Sequence, residues 1–189
     1  TPHTATRAVR AGIATDTQHG AVVPPIHLSS TFSFERFGVK RPDDYTRSGN
    51  PTRDTLAEAI ASLEGGAGAV VTSTGMSAVA LVLQLVKPGE TVLAAHDCYG
   101  GTHRLLTTLA AHGRFTLTFD DLAAADIAAR IARTRPRLVW VETPSNPLLR
   151  ITDIAAVARA AHAVGALVVV DNTFLSPALQ QPITHGADV

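Results

Sequence analysis

Ala166-Leu167-Val168-Val169-Val170-Asp171-Asn172-Thr173-Phe174-Leu175-Ser176-Pro177 is an apolar run that ends on a single carboxylate and breaks into a polar turn. The consecutive apolar residues Leu167 to Val170 predict a strand covered on both faces, as in a parallel sheet. A carboxylate buried at the end of such a strand is strongly disfavoured unless a cationic group meets it. Ligands of open α/β sheets bind at the carboxyl ends of the strands. Asp171 therefore implies a partner at that edge, either a protonated ring nitrogen or an arginine.

Upstream, the same kind of run recurs. Apolar stretches at Ala69–Thr72, Thr91–Ala95, Phe115–Phe119 and Leu138–Val141 predict strands, with Leu167–Val170 as the last. Between them, Ala- and Leu-rich stretches predict helices at Gly75–Val86, Gly101–Ala111, Leu122–Arg133 and Ile151–Val164, preceded by one at Arg53–Glu64 that Gly65-Gly66 closes. Strands alternating with helices give βαβ units, hence an α/β fold of three αβα layers around a mostly parallel sheet. Residues 1–50 read differently. They are rich in Thr, Ser and Pro, and Pro24-Pro25 and Arg41-Pro42 interrupt helix and central strand alike. This segment is predicted to be an extended arm with little core of its own, leaving 51–189 as the α/β domain.

The chain has 189 residues, 46% of them apolar and 17% charged, which suits a well-buried globular domain. Sixteen basic residues balance sixteen acidic ones, so no nucleic-acid or acidic-membrane partner is expected. The single cysteine, Cys98, excludes a disulfide framework and suits a reducing compartment. Without an apolar run of about 18 residues or a charged-then-apolar leader, a cytoplasmic protein is expected. The histidines are scattered, with neither His-Glu-x-x-His nor Cys-x-x-Cys, so no metal site is expected.

Several turns carry chemistry. Val70-Val71-Thr72-Ser73-Thr74-Gly75-Met76-Ser77 reads as strand, hydroxyl-and-glycine turn, then helix. That arrangement aims free backbone N–H groups and the positive helix end at one spot, which suits a phosphate and equally suits ordinary N-capping. Tyr99, freed by Gly100-Gly101, is either a platform for a planar ligand or a turn residue packing on its own domain. Pro144 and Pro147 fix a loop in which Asn146 presents an amide to the same edge, whereas Glu142 reads as a solvated or capping carboxylate. Tyr45 and Arg47, two apart in an extended segment, fall on one side and can both bind phosphate oxygens.

Taken in order, Val22-Val23-Pro24-Pro25-Ile26-His27-Leu28-Ser29-Ser30-Thr31-Phe32, Asp44-Tyr45-Thr46-Arg47-Ser48-Gly49-Asn50-Pro51-Thr52-Arg53, Ser73-Thr74-Gly75-Met76-Ser77-Ala78, His96-Asp97-Cys98-Tyr99-Gly100-Gly101, Glu142-Thr143-Pro144-Ser145-Asn146-Pro147 and Val170-Asp171-Asn172-Thr173-Phe174-Leu175-Ser176-Pro177 resemble the Cys/Met-metabolism family of pyridoxal-phosphate enzymes. The resemblance runs essentially end to end. It implies the large domain of the fold type I architecture, with pyridoxal 5′-phosphate as cofactor. Asp171 would then pair with the protonated pyridine nitrogen, and Tyr99 would stack on the ring and assist proton transfer. Gly75 and Met76 would offer amides to the phosphate, Asn146 would meet the ring and the substrate carboxylate, and Thr173 would brace the ring. Tyr45 and Arg47 would reach the cofactor phosphate of a neighbouring subunit, so the resemblance implies a homo-oligomer, a dimer sharing active sites or a tetramer of two such dimers.

The family's reaction also requires a lysine that bonds to the cofactor. The two lysines present are Lys40, in the arm, and Lys87, in a turn at the far end of the sheet, and neither suits that role. In the family that lysine lies shortly after a segment like Gly186-Ala187-Asp188, so the 189 residues are expected to be about half of a longer protein with a further, C-terminal domain. The implied chemistry is γ-replacement on an activated homoserine, O-succinyl-L-homoserine, by cysteine, with Arg104 as candidate for the distal carboxylate of this small amino-acid substrate. Ser48 stands where some members carry a second arginine. Elimination from cystathionine and sulfhydrylation of a homoserine ester use nearly the same residues. A non-catalytic binding module is the alternative of another class.

Overall fold

The computed structural model describes residues 2–189, so of the predicted arm 1–50 only residue 1 lies outside the description. The chain forms two compact units, one ending at Val71 and one running Thr72–Val189.

In the first unit, helix α1 (Thr4–Arg10) opens the segment that was expected to be extended. Its Arg7 donates to the Ser62 carbonyl of helix α2 (Pro51–Glu64). The remainder of residues 11–49 is irregular, with isolated bridges Thr31 to Tyr45 and Arg36 to Val39. Among the described residues before Ala61, no hydrophobic side chain is buried. α2 starts two residues before the predicted Arg53 because Asn50 caps it, its side chain accepting from the Thr52 amide at 2.9 Å, and Pro51 occupies the first helical position. It ends where Gly65 takes φ 76°, a left-handed conformation that glycine adopts without a Cβ penalty.

The second unit is built on four parallel strands in the order β2-β1-β3-β4. These are β1 (Thr91–Ala95), β2 (Thr116–Asp120), β3 (Leu138–Glu142) and β4 (Leu167–Asp171), each within one residue of its predicted bounds. Consecutive residues are buried along β3 and most of β1, so helices cover both faces of the sheet. Helix α3 (Gly75–Val82) packs with α4 (Gly100–Ala111), and α5 (Ile127–Thr134) packs with α6 (Ile154–His162). Leu93, Leu106, Ile131, Leu138, Val139 and Val168, all fully buried, form the centre of the core.

Other predicted helix boundaries move as well. α3 gives way to a 3-10 turn at Leu83–Leu85 instead of running to Val86. α5 begins at Ile127, not Leu122, because Asp121 accepts from the Ala123 amide and two successive turns, Ala124 to Asp121 and Ile127 to Ala124, occupy the intervening residues. α6 begins at Ile154, where the Asp153 carboxylate caps the Ala156 amide at 2.9 Å. The predicted strand Ala69–Thr72 does not form. A strand needs a neighbour to satisfy its backbone, and among the described residues none pairs with it; Val70 is 75% exposed.

β4 lies at the open edge of the named sheet. The last residues begin to cover that edge, with Asp188 donating to the Val168 carbonyl at 2.8 Å and Val170 donating to the Val189 carbonyl at 2.9 Å. Asp171 is accordingly half-buried, not fully desolvated as its strand pattern suggested. A short helix α7 (Ser176–Leu179) and a 3-10 turn at Pro182–His185 complete the unit.

Candidate functional site

The connection from β1 leads to β2 on one side, and the next returns past β1 to β3 on the other. The carboxyl ends of β1 and β3 therefore flank a topological switch point, where open α/β sheets form their ligand crevice. A cavity of about 500 Å³ opens there. Gly75, Met76, Tyr99, Asn146, Asp171 and Thr173, six of the predicted site residues, all line it.

Each is delivered by its own turn. Thr74 caps α3, its hydroxyl accepting from the Ser77 amide at 3.1 Å, and the amides of Gly75 and Met76 have no acceptor among the described residues. A Cβ built on Gly75 would meet nothing within 4 Å, so the backbone there is open to close approach. Tyr99 sits at the N-cap of α4 and its ring lies over Gly101, where a Cβ would fall 2.6 Å from Cε1 of the ring and 3.0 Å from the Met76 sulfur. Gly101, rather than freeing the ring, makes room for it. Asp171 ends β4; its Oδ1 accepts from both the amide (3.0 Å) and the hydroxyl (2.5 Å) of Thr173, and Oδ2 has no partner among the described residues. Asn146 lies in a loop tied down by Thr152 donating to the Thr143 hydroxyl and Gln180 donating to the Thr143 carbonyl, and its side-chain amide is unpartnered among the described residues.

Three further residues were not anticipated. Glu142, read from sequence as a solvated or capping carboxylate, is 6% exposed and accepts from the amides of Tyr99 at 2.6 Å and Asn146 at 3.0 Å. Burial pushes its carboxyl above the ordinary range, the nearby Asp171 and Asp97 charges add to this, and the two amides oppose it. Trp140 and Thr102 line the cavity with a buried Nε1 and Oγ1 that find no partner among the described residues. The sequence signal for Glu142 was present: Leu138-Val139-Trp140-Val141-Glu142 repeats the pattern of Leu167-Val168-Val169-Val170-Asp171, a buried strand ending on an acid.

Arg104 is exposed on α4, is not among the lining residues, and its Nη1 lies over Gly100. Tyr45 and Arg47 belong to the first unit, where Arg47 donates to the Tyr45 hydroxyl at 3.1 Å and its guanidinium sits 5.0 Å from the ring centroid. Among the described residues no cluster of three metal-ligating side chains occurs. None of the described helices is long and apolar enough to cross a membrane.

The cavity thus offers a carboxylate with an open oxygen at one strand end, an aromatic face at another, and two unpaired amides at a helix N-terminus. That donor set suits a planar ring with a basic nitrogen and an anionic arm. The family model of the Cys/Met metabolism PLP-dependent enzymes matches residues 5–189. The chain belongs to this family.

Members of the family are pyridoxal-phosphate enzymes, and the relatives of this chain are trans-sulfuration enzymes. The chain is 54% identical over 186 residues to cystathionine gamma-synthase of Escherichia coli (strain K12), covering 98% of this chain and 48% of that protein. It is 43% identical over 185 residues to cystathionine gamma-lyase of Dictyostelium discoideum, covering 97% and 48%. The crystal structure of cystathionine gamma synthase from Xanthomonas oryzae pv. oryzae in complex with cystathionine superposes with a TM-score of 0.96 at 61% identity, over 100% of this chain and 49% of that one. The chain spans about half the length of the relatives it matches.

Proposed function

We propose that the intact protein catalyses γ-replacement: O-succinyl-L-homoserine and L-cysteine give L-cystathionine and succinate. The Cγ–O bond breaks, the Cγ–S bond forms, and the thiol proton is released. The observation that carries this reading is the 54% identity to a cystathionine gamma-synthase over nearly the whole chain, against 43% for the gamma-lyase.

Pyridoxal phosphate, when bound, supplies an electron sink for carbanion chemistry next to the substrate Cα. The open oxygen of Asp171 would meet the pyridine nitrogen and favour its protonated form, and Thr173 fixes that carboxylate by its two hydrogen bonds. The free Gly75 and Met76 amides bind phosphate oxygens at the start of α3. Tyr99 would cover the ring face and its hydroxyl would assist proton transfer, while the Asn146 amide would meet the ring oxygen and the substrate carboxylate. Arg104, one turn beyond Tyr99, meets the distal carboxylate of the succinyl group. Tyr45 and Arg47 would reach the cofactor phosphate of a neighbouring subunit, which would make the enzyme a homo-oligomer, at least a dimer.

The reacting lysine is neither of the two present. Lys87 lies in the turn just before β1, at the opposite end of the sheet from the cavity, and Lys40 is ion-paired with Asp44 in the first unit. In the intact protein that lysine would come from the part of the relatives' length that this chain does not span.

The intact protein is to be assayed with O-succinylhomoserine plus cysteine, and separately with cystathionine alone. Formation of cystathionine and succinate as the faster reaction is expected. Faster release of ammonia and 2-oxobutyrate from cystathionine would replace the synthase reading with the lyase one.

A further inference from the structure

Glu142 ends β3 in register with Asp171 on β4, and the two carboxylates line the same cavity. No Lys, Arg or His pairs with Glu142 among the described residues, and Asp171 and Asp97 add negative charge around it. A buried carboxylate without a cation is costly, and hydrogen bonds to its oxygens are what offset that cost. Here both oxygens are used at once: Oε2 takes the Tyr99 amide that ends the turn between β1 and α4, and Oε1 takes the Asn146 amide in the loop after β3. A glutamine of the same shape offers one acceptor and turns an NH₂ toward the other donor. Two facing N–H groups from separate loops therefore select a carboxylate over its neutral isostere.

We propose that Glu142 is a positioning residue for the cofactor site, a two-armed acceptor that fixes the Tyr99 turn and the Asn146 loop to each other. The aromatic face and the amide that flank the ring are set by one side chain, whose two oxygens are each taken by a backbone amide. This rests on the assignment of this cavity as the pyridoxal-phosphate site, and the experiment separates the two.

In the intact protein, Glu142→Gln and Glu142→Ala are compared with wild type and with Asp171→Ala, by titration with pyridoxal phosphate and by visible circular dichroism per bound cofactor. Hydrogen bonds to a charged group are among the stronger ones, so loss of one arm in Glu142→Gln is expected to raise the cofactor Kd roughly tenfold. Glu142→Ala, which loses both, raises it further, and both variants lose ellipticity because the ring is no longer held in one orientation. A merely structural role would lower the melting midpoint and leave Kd and ellipticity unchanged well below it, and that result overturns the proposal. If Asp171→Ala also binds like wild type, the cavity assignment falls instead; if Asp171→Ala alone is weakened, only the role of Glu142 falls. Should the Glu142 variants not fold, amide hydrogen exchange of the cofactor-free wild type decides. The Tyr99 and Asn146 amides are expected to be protected together, and exchange of either at its unprotected rate refutes the two-armed arrangement.

Discussion

Replacing Gly101 by alanine tests whether the position of the Tyr99 ring matters separately from the stability of the fold. The new Cβ would fall 2.6 Å from Cε1 of Tyr99 and 3.0 Å from the Met76 sulfur. Carbon atoms pack best at about 3.5–4.0 Å, so the ring must retreat by roughly 1 Å. Tyr99 is 45% exposed and has room to move outward, so the fold need not resist. Alanine is the better helix former by up to about 1 kcal/mol, which offsets the packing lost in the first turn of α4. The melting temperature of the intact protein is therefore expected to stay within a few degrees of wild type. A displacement of about 1 Å at a reacting centre costs about 100-fold in rate, so kcat/KM should fall by about that factor and the cofactor Kd should rise. Gly100→Ala is the internal control. Its Cβ meets only the flexible end of Arg104, at 3.3 Å, away from the Tyr99 ring, and the variant should keep its cofactor affinity. Thermal melts, cofactor titration and steady-state kinetics read all three. Wild-type kcat/KM in Gly101→Ala, or an equal loss of cofactor affinity in the two variants, would refute the reasoning.

Two further outcomes follow from the charges around the same strand ends. Arg150 donates to both oxygens of Asp121, at 2.8 and 2.7 Å, and holds its carboxyl below the ordinary range. Such a group stabilises the fold above its unfolded pKa, near 3.9, and that contribution is lost as pH falls through the lower folded value. Because both side chains are more than a third exposed, the effect is small: Asp121→Asn should melt roughly a few degrees below wild type at pH 7, and the two melting curves should converge in acid. A pH-independent gap would show that the ion pair is not its source. Cys98 is buried, and burial first, then the Glu142 and Asp97 charges, push its thiol up to about 12. At pH 8 its thiolate fraction is about a thousandfold below that of a free cysteine, whose pKa is about 8.5. Alkylation of the Cys98 peptide, followed by mass spectrometry, should be correspondingly slow in the native protein and fast once unfolded; rapid native labelling would contradict the buried environment.

What was legible in the sequence was whatever a single segment encodes by itself. Leu138 to Val141 and Leu167 to Val170 are apolar without alternation, and both are strands of a parallel sheet as that pattern requires. Asn50-Pro51 and Gly65 bracket α2 through capping that the chain carries locally. Ala69–Thr72 looked equally strand-like, yet a strand is a property of a pair, and no described segment supplies its second member. The same distinction separates Asp171 from Glu142. Both end an apolar run, but the reading of Asp171 needed only a ligand at a strand end. That of Glu142 depended on two amides, 43 residues upstream and 4 downstream, converging on its two oxygens. Before folding, an acid beginning a proline-rich loop is indistinguishable from a solvated one. After folding, it is a buried carboxyl group beside a second carboxylate, with a backbone amide from each of two loops on its oxygens. The locally encoded residues supply the groups of the site, and the residue that coordinates them becomes visible only when the sheet assembles.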